Sequence, residues 1–293
     1  MVGKMIGIEI SAASLKLATV DKGKIRDLAL ESIPPHLIAD GRVAAPEVFC
    51  QFLKDTLKKN HISGRNCALV LPAQLVVSQK LTLPRMTEGE LLLNLPYEFQ
   101  DYLGRDTECY DFDYIVTGIR ERMMDLYGVA VRKQDVEDYY QVFKRAGLTL
   151  RMAVPAEMAW LNVVRRAKEQ KSLCIIDVGH EKTSVHIYRN GLFAMGKIID
   201  LGVDETRHRK EVAEALAMEI LKTLTFYSYS DGADPIENLY LCGGANMESL
   251  RQAIVKATDL EPYPISDLLM VEEELVFSCG PAIGAALQGM KGA

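Results

Sequence analysis

The feature that most constrains this chain is an internal repeat. The stretches "IGIEISAASLKLATVDKG" (Ile6–Gly23) and "CIIDVGHEKTSVHIYRNG" (Cys174–Gly191) superpose without a gap at an offset of 177 − 9 = 168 residues. Glu9 then falls on Asp177, Ser11 on Gly179, Leu17 on Val185 and Gly23 on Gly191. Each copy runs as a strand, a turn that opens on an acid, a second strand alternating with a period of two, and a charged turn ending in glycine. That is the pattern of a β-hairpin. Chance similarity between two hairpins remains an alternative at this point. A chain of 293 residues that repeats a hairpin at this distance is expected to form two related halves, each able to bury its own core.

Composition narrows the functional classes. Hydrophobic residues make up 48% and charged residues 25%, the balance of a globular protein rather than a disordered one. A formal net charge of −6 argues against nucleic acid, which demands clustered Lys and Arg. Arg165, Arg166 and Lys168, and the run Arg207–Lys210, are short enough to be solvated helix faces. Six cysteines are spread widely, with no CxxC pair, and most lie in apolar runs, which fits buried free thiols in a reducing compartment. The opening "MVGKMIGIEI" reaches Glu9 too soon for a secretory signal, and no run approaches the ~20 apolar residues of a membrane span. A cytoplasmic protein with no direct membrane insertion is expected.

Strand and helix patterns follow in the order expected of two α/β halves. Lys24–Ile33 extends the first hairpin by a third strand, Pro46–Lys59 has helical spacing, and "CALVLP" and "LVVSQKLTLP" are strands closed by prolines. "MTEGELLLNLPYEFQDYL" predicts a helix capped by a threonine and kinked or divided by Pro96. Two alternating runs, "CYDFDYIVTG" and "MDLYGVAVR", precede the helix of "KQDVEDYYQVFKRAGL", the strand "TLRMAVP" and the helix "AEMAWLNVVRRAKEQ". In the second half a long helix is predicted over Glu205–Phe226, and the uncharged tail Leu275–Met290, with Gly280, Pro281 and Gly284, as a buried helix packed through small residues. Trp160 is expected in the core, and Tyr227 and Tyr229 as packing residues.

A carboxylate at a strand end repels phosphate but holds the hydrated Mg²⁺ that accompanies it, while a glycine turn presents backbone N–H groups to phosphate oxygens. Two such hairpins facing each other would clamp a triphosphate. A Gly243-Gly244 turn before a helix would let an adenosine approach the backbone. Each element also has a plain structural reading: Asp177 with Gly179 as a simple turn, Gly243-Gly244 as close strand–helix packing, and His180 as a solvated turn residue.

Taken together and in order, "IEISAASLK", "IDVGHEKTS", "YLCGGANME" and "CGPAIGAAL" resemble the two phosphate loops, the adenosine loop and the closing helix of the actin, sugar-kinase and heat-shock ATPase superfold. Within it the chain is similar to the type IV pilus assembly protein PilM family, through "LTLPRMTEGEL", "LPYEF" followed by "YDFDYIV", "VRKQDVEDYYQVFKRAGL" with "VPAEMAWLNVV", and "ILKTLTFYS". The resemblance spans Ile6 to Leu287. It implies an α/β actin-like fold of two related domains, with mixed β-sheets flanked by helices around an interdomain cleft. One domain covers 1–171 with an inserted small subdomain at about 84–132. The other covers 172–293, its small subdomain trimmed at about 203–230.

The resemblance further implies ATP and Mg²⁺ as cofactors. Nucleotide contacts fall on Ser11, Ala12, Ala13, Lys16, Asp177, Gly179, Thr183, Gly243, Gly244 and Ala245, with Glu9 and Asp177 holding the metal through water. The family's first loop usually runs Asp-x-Gly-Ser, where this chain has Glu9, Ser11 and Ala12. The cleft is therefore expected to be weakened and the chain at most a slow ATPase. The implied partner is the N-terminal cytoplasmic tail of a PilN-type single-span inner-membrane protein, met by Glu90, Tyr97, Glu98, Asp101 and Asp113. Whether copies of the chain also form a homo-oligomer stays open. A small-molecule kinase of the same superfold would need an aspartate base, for which Asp111 and Asp113 fit poorly on an exposed strand. An actin-like cell-division protein would want an amphipathic C-terminal helix, which "LQGMKGA" does not supply.

Overall fold

The computed structural model describes residues 3–11, 13–167, 172–202, 210–230, 233–243, 248–271 and 275–290. The repeat is realised strand by strand. In the first half β1 (Lys4–Ile10) pairs antiparallel with β2 (Ser14–Asp21), which continues into β3 (Lys24–Ser32). After a short hairpin of β4 (Ile38–Ala39) and β5 (Arg42–Val43), two more strands, β6 (Asn66–Val70) and β10 (Thr149–Val154), join the first sheet in parallel to give the order β10-β6-β1-β2-β3. The second half has β11 (Leu173–Val178), β12 (Thr183–Arg189), β13 (Leu192–Ile199), β14 (Asn238–Gly243) and β15 (Pro262–Pro264), in the order β13-β12-β11-β14-β15. Register repeats as well: Glu9 faces Lys16, and 168 residues on Asp177 faces Ser184. Even the turns match. Lys22 and Gly23 have φ of 49° and 76°, Asn190 and Gly191 52° and 68°, the paired left-handed residues that a tight hairpin between twisted strands requires.

Helices cover both faces of each sheet. On the first sheet's outer face, α1 (Pro46–Lys59) and α4 (Lys133–Arg145) set Phe49, Leu53, Tyr139 and Phe143 against Ile6, Ile8, Leu15 and Leu17. The second sheet is covered by α6 (Lys210–Ser228) and α7 (Glu248–Thr258), with Leu216, Ile220, Leu250 and Ile254 over Ile176 and Val185. The inner faces share one core, built on α5 (Ala156–Ala167), the short α8 (Ile265–Leu269) and α9 (Val276–Gly289) and reaching Met5, Ala18 and Val20 on one side and Leu173, Ile175 and Tyr188 on the other. The tail is thus a buried helix, as its small residues predict. A Cβ at Gly284 would overlap the Ala159 carbonyl oxygen, one at Gly280 the Trp160 ring, and one at Gly7 the Ala282 carbonyl oxygen.

A third sheet leaves the first half after β6. It has the order β7-β9-β8, from β7 (Val76–Pro84), β8 (Tyr110–Ile119) and β9 (Met123–Arg132). Because β7 pairs with β9 along its whole length, from Val76↔Val131 to Pro84↔Met123, the chain enters this unit at Val76 rather than near residue 84. One face of the sheet carries α2 (Glu88–Glu98), through Leu91 over Met124 and Leu126 and Leu95 over Ala130. The helix starts in a capping box between Thr87 and Glu90. It continues past Pro96, and the chain bends only at Phe99 before α3 (Gln100–Leu103), whose single turn leads to Gly104.

One sequence expectation needs correction. Tyr227 is buried, but Tyr229, just beyond the end of α6, is 86% exposed. The long helix begins among the described residues at Lys210, and its expected start at Glu205 lies outside them.

The glycine contacts make a stability prediction. Gly284→Ala and Gly7→Ala force backbone apart at buried crossings and should each cost about 3 kcal/mol or more, lowering the melting temperature by several degrees. Gly89→Ala, in open space on the first turn of α2, should instead raise stability by about 0.5–1 kcal/mol through the unfolded chain. Thermal and urea denaturation of the three variants check both signs.

Candidate functional site

The two hairpins bring their acids together. Glu9 stands near the end of β1 directly across from Lys16 on β2, and the Lys16 Nζ lies 2.6 Å from Glu9 Oε1. Both side chains are mostly buried, 15% and 13% exposed, and Glu9 Oε2 is buried with no partner among the described residues. Asp177, at the matching place on β11, comes from the other half, yet its charge acts on both members of the pair. Burial pushes the Lys16 ammonium down, but the Glu9 and Asp177 carboxylates outweigh burial and hold it protonated, above its ordinary value. Burial raises the Glu9 carboxyl against the pull of Lys16, and the Asp177 charge adds to the rise. Cys242, beside Asp177 in the parallel β11–β14 register, donates to the Ile176 carbonyl at 3.4 Å. Its thiol is pushed well up by burial and by the Asp177 charge.

The turns that follow the acids are closed on themselves. Ser11 donates its N–H to the Ser14 carbonyl at 2.9 Å, and the Ser14 N–H donates to Ser11 Oγ at 3.0 Å. The Ala13 carbonyl accepts the N–H of Ile33. In the second turn the Gly179 N–H donates to the Lys182 carbonyl at 2.9 Å, an oxygen only 2.8 Å from where a Cβ would stand. Thr183, fully buried, donates its hydroxyl to the Leu201 carbonyl at 2.7 Å and so ties the start of β12 to the segment after β13. Gly243 has φ of 100°, and a Cβ there would overlap the Val178 backbone, so its open side faces the second hairpin's strand. Ala12, Gly244 and Ala245 lie outside the described residues.

Mg²⁺ is a poor fit to this arrangement. It takes six oxygens in octahedral array and tolerates no cation in its shell. Here the one carboxylate the first half offers already holds an ammonium, and among the described residues no three His, Cys, Asp or Glu side chains come together in a way that could hold a metal. The orphaned Glu9 Oε2 supplies a single acceptor.

A polar junction that the motif reading missed lies next to Asp177. His186 on β12 is 4% exposed, and neither ring nitrogen has a partner among the described residues. Burial holds its imidazole below the ordinary value against the charges of Glu157 and Asp177. Glu157 on α5 accepts the Tyr127 hydroxyl from β9 at 3.2 Å through its carboxylate, and the Tyr188 hydroxyl from β12 at 2.8 Å through its carbonyl. Third sheet, linking helix and second half therefore meet at one residue. The signal was present in the period of two: Ser184, His186 and Tyr188 share a face, and Ser184 is the residue opposite Asp177.

The partner residues expected on the third sheet divide into two kinds. Glu90 is occupied inside the fold, its carboxylate accepting the Thr87 N–H and hydroxyl at 2.8 Å each, contacts that hold it below the usual carboxylate range. Tyr97 is 69% exposed one turn beyond Leu93, which is 75% exposed, and Tyr102 follows at 58%. Glu98 accepts from Asn94 at 3.1 Å, and Asp101 is exposed on α3. Asp113, exposed on the edge strand β8, accepts only its neighbour's N–H from Tyr114.

Comparison with known proteins follows the same lines. A solved "PilM-PilN type IV pilus biogenesis complex" superposes with a TM-score of 0.81 at 20% identity, over 97% of this chain and 98% of that one. The cytoplasmic domain of EpsL, an inner membrane component of the type II secretion system of Vibrio cholerae, gives 0.54 at 13% identity over 93% and 98%. A Bacteroides thetaiotaomicron protein with an actin-like ATPase fold gives 0.52 at 11% over 91% and 92%. No individually curated protein matches the sequence. The family model of type IV pilus assembly protein PilM matches residues 7–197, well over half of the chain. The chain therefore belongs to the type IV pilus assembly protein PilM family, and its fold is actin-like.

Proposed function

We propose that this chain is a cytoplasmic scaffold of type IV pilus assembly, organised as actin-like domains over 1–171 and 172–293. In this reading it docks the short N-terminal tail of a PilN-type single-span inner-membrane protein and is held at the membrane through that partner. The observation that carries the reading is the exposed face of the third sheet. Leu93 and Tyr97 stand out from α2 among the acids Glu98 and Asp101, and β8, with Asp111 and Asp113 exposed, is an edge strand whose outer backbone groups face no other strand of its sheet. An extended basic and apolar tail can add main-chain bonds to such an edge and set side chains against the aromatic stripe. The described residues include no helix long and apolar enough to cross a membrane, so membrane attachment falls to the partner. The solved PilM–PilN complex supports the class of partner.

Nucleotide is a secondary property in this reading. The N–H groups of Ser11, Ser14 and Gly179 are already bonded within their turns, and Lys16 is paired with Glu9, so phosphate has to displace contacts the protein makes with itself. We take ATP binding at these loops to be weak and hydrolysis slow or absent, well below the ~1–100 s⁻¹ of kinases.

Synthetic N-terminal tails of neighbouring single-span pilus proteins should bind at micromolar strength, about −8 kcal/mol, by titration calorimetry. Tyr97→Ala, at an exposed position that leaves the fold intact, should weaken binding by about tenfold, roughly 1–2 kcal/mol. Glu98→Lys with Asp101→Lys should slow association, and raised salt should slow it for the parent protein in the same way. Failure of every basic tail to bind the folded protein would remove the docking role and leave the kinase alternative. Turnover of ATP at many per second would overturn the reading of the cleft.

A further inference from the structure

The family's fold implies a divalent metal between two strand-end carboxylates, and the residues of this chain do not fit one. The Lys16 ammonium stands 2.6 Å from Glu9 Oε1, and Asp177 of the other half acts on it through its charge. The pairing is fixed by backbone register, since Lys16 is the residue directly opposite Glu9 across the β1–β2 ladder. The repeat has no second lysine to play this part, because the equivalent residue of the other hairpin is Ser184. Three other observations agree. Both side chains are mostly buried, no metal-holding cluster of His, Cys, Asp or Glu exists among the described residues, and the second half also brings the thiols of Cys242 on β14 and Cys279 on α9 near the pair.

We propose that Lys16 is the resident cation of this cleft: its ammonium takes the place of a divalent metal, neutralises the Glu9–Asp177 pair and ties the first hairpin to the second without any ligand. A doubly charged ion entering beside it would meet a fixed positive charge in a dry setting, where such repulsion is strong. Removing the ammonium alone leaves the buried Glu9 carboxylate without its counter-charge and still under the charge of Asp177, a change that favours a hard divalent cation. The proposal deepens the reading of the hairpins as phosphate-facing loops, but its test uses metal alone and needs neither nucleotide nor tail.

The experiment is Mn²⁺ titration of the full chain, read by electron paramagnetic resonance, with melting curves in EDTA, Mg²⁺ and Mn²⁺ at constant ionic strength. The parent protein should bind no Mn²⁺ at millimolar concentration and melt at the same temperature in all three. Lys16→Met should melt lower in EDTA, by on the order of 10 °C, and recover part of the loss with Mn²⁺ or Mg²⁺ as a single bound ion appears. The double variant Glu9→Met with Lys16→Met removes both charges of the buried pair. It should melt near the parent and show no metal response. Saturable Mn²⁺ binding by the parent that Glu9→Gln abolishes would overturn the proposal, because the metal would then displace the lysine. So would a double variant as unstable as the sum of its single changes, which would mean the two groups are not coupled. If Lys16→Met does not fold, the parent titration and the double variant still decide between these outcomes.

Discussion

The approach of α9 to β1 and α5 is the contact on which the rest of the molecule depends. At Gly7, Gly280 and Gly284 there is no room for even a methyl group, because the space is held by the Ala282 carbonyl, the Trp160 ring and the Ala159 carbonyl. Two of these neighbours are backbone, which cannot rotate away as a side chain can. The inner faces of both sheets thereby rest on a single pair of helices and share one core. A bulkier residue at any of the three positions would loosen the core and separate the hairpin tips that carry Glu9 and Asp177.

Bringing those tips together creates an electrostatic problem that the repeat by itself does not solve. Two related hairpins place two like charges against each other, and burial raises the cost of keeping both ionised. The answer is an asymmetry between the copies. Where the second hairpin has Ser184 opposite its acid, the first has Lys16, so one half carries the counter-charge for both. Breaking a buried pair by removing one partner is far more damaging than replacing both, which makes the lysine a structural element of the closed molecule whatever else it contacts.

Much of this architecture was legible in the residues, and the limits have physical causes. The ungapped repeat from Glu9 to Asp177 predicted two halves that each open on a hairpin ending in a charged turn with glycine, while the register and the left-handed Lys-Gly and Asn-Gly turns come from the structure. The Thr87 cap and the small-residue helix at the C-terminal end were equally plain, since both depend on local chemistry. The Lys16–Glu9 pair was not legible from the motif, which assigns both residues to an absent ligand and says nothing of each other. The junction of Glu157, Tyr127, Tyr188 and His186 was hidden for a different reason: its members come from α5, β9 and β12, and only tertiary packing brings them to one point. Tyr229 was misjudged because an aromatic at the end of a helix says nothing about which side of the last turn the core occupies.

The third sheet shows how a charged surface can be partly committed to its own fold. Glu90 completes the capping box of α2, so its charge is held by Thr87 and is less open to an incoming cation than its exposure suggests. Asp125 is similarly tied, to Thr82 at 2.8 Å and Arg120 at 3.1 Å. Recognition then concentrates on groups that the fold leaves open, the Leu93 and Tyr97 stripe with Asp101 beyond it. An aromatic already held at a helix surface loses little freedom on contact, whereas exposed acids add mainly to encounter rate. In the proposed docking role, charge would draw the partner and apolar area would retain it. The third sheet itself is joined to the core through β9, where Tyr127 donates to Glu157 on the same α5 that α9 packs against.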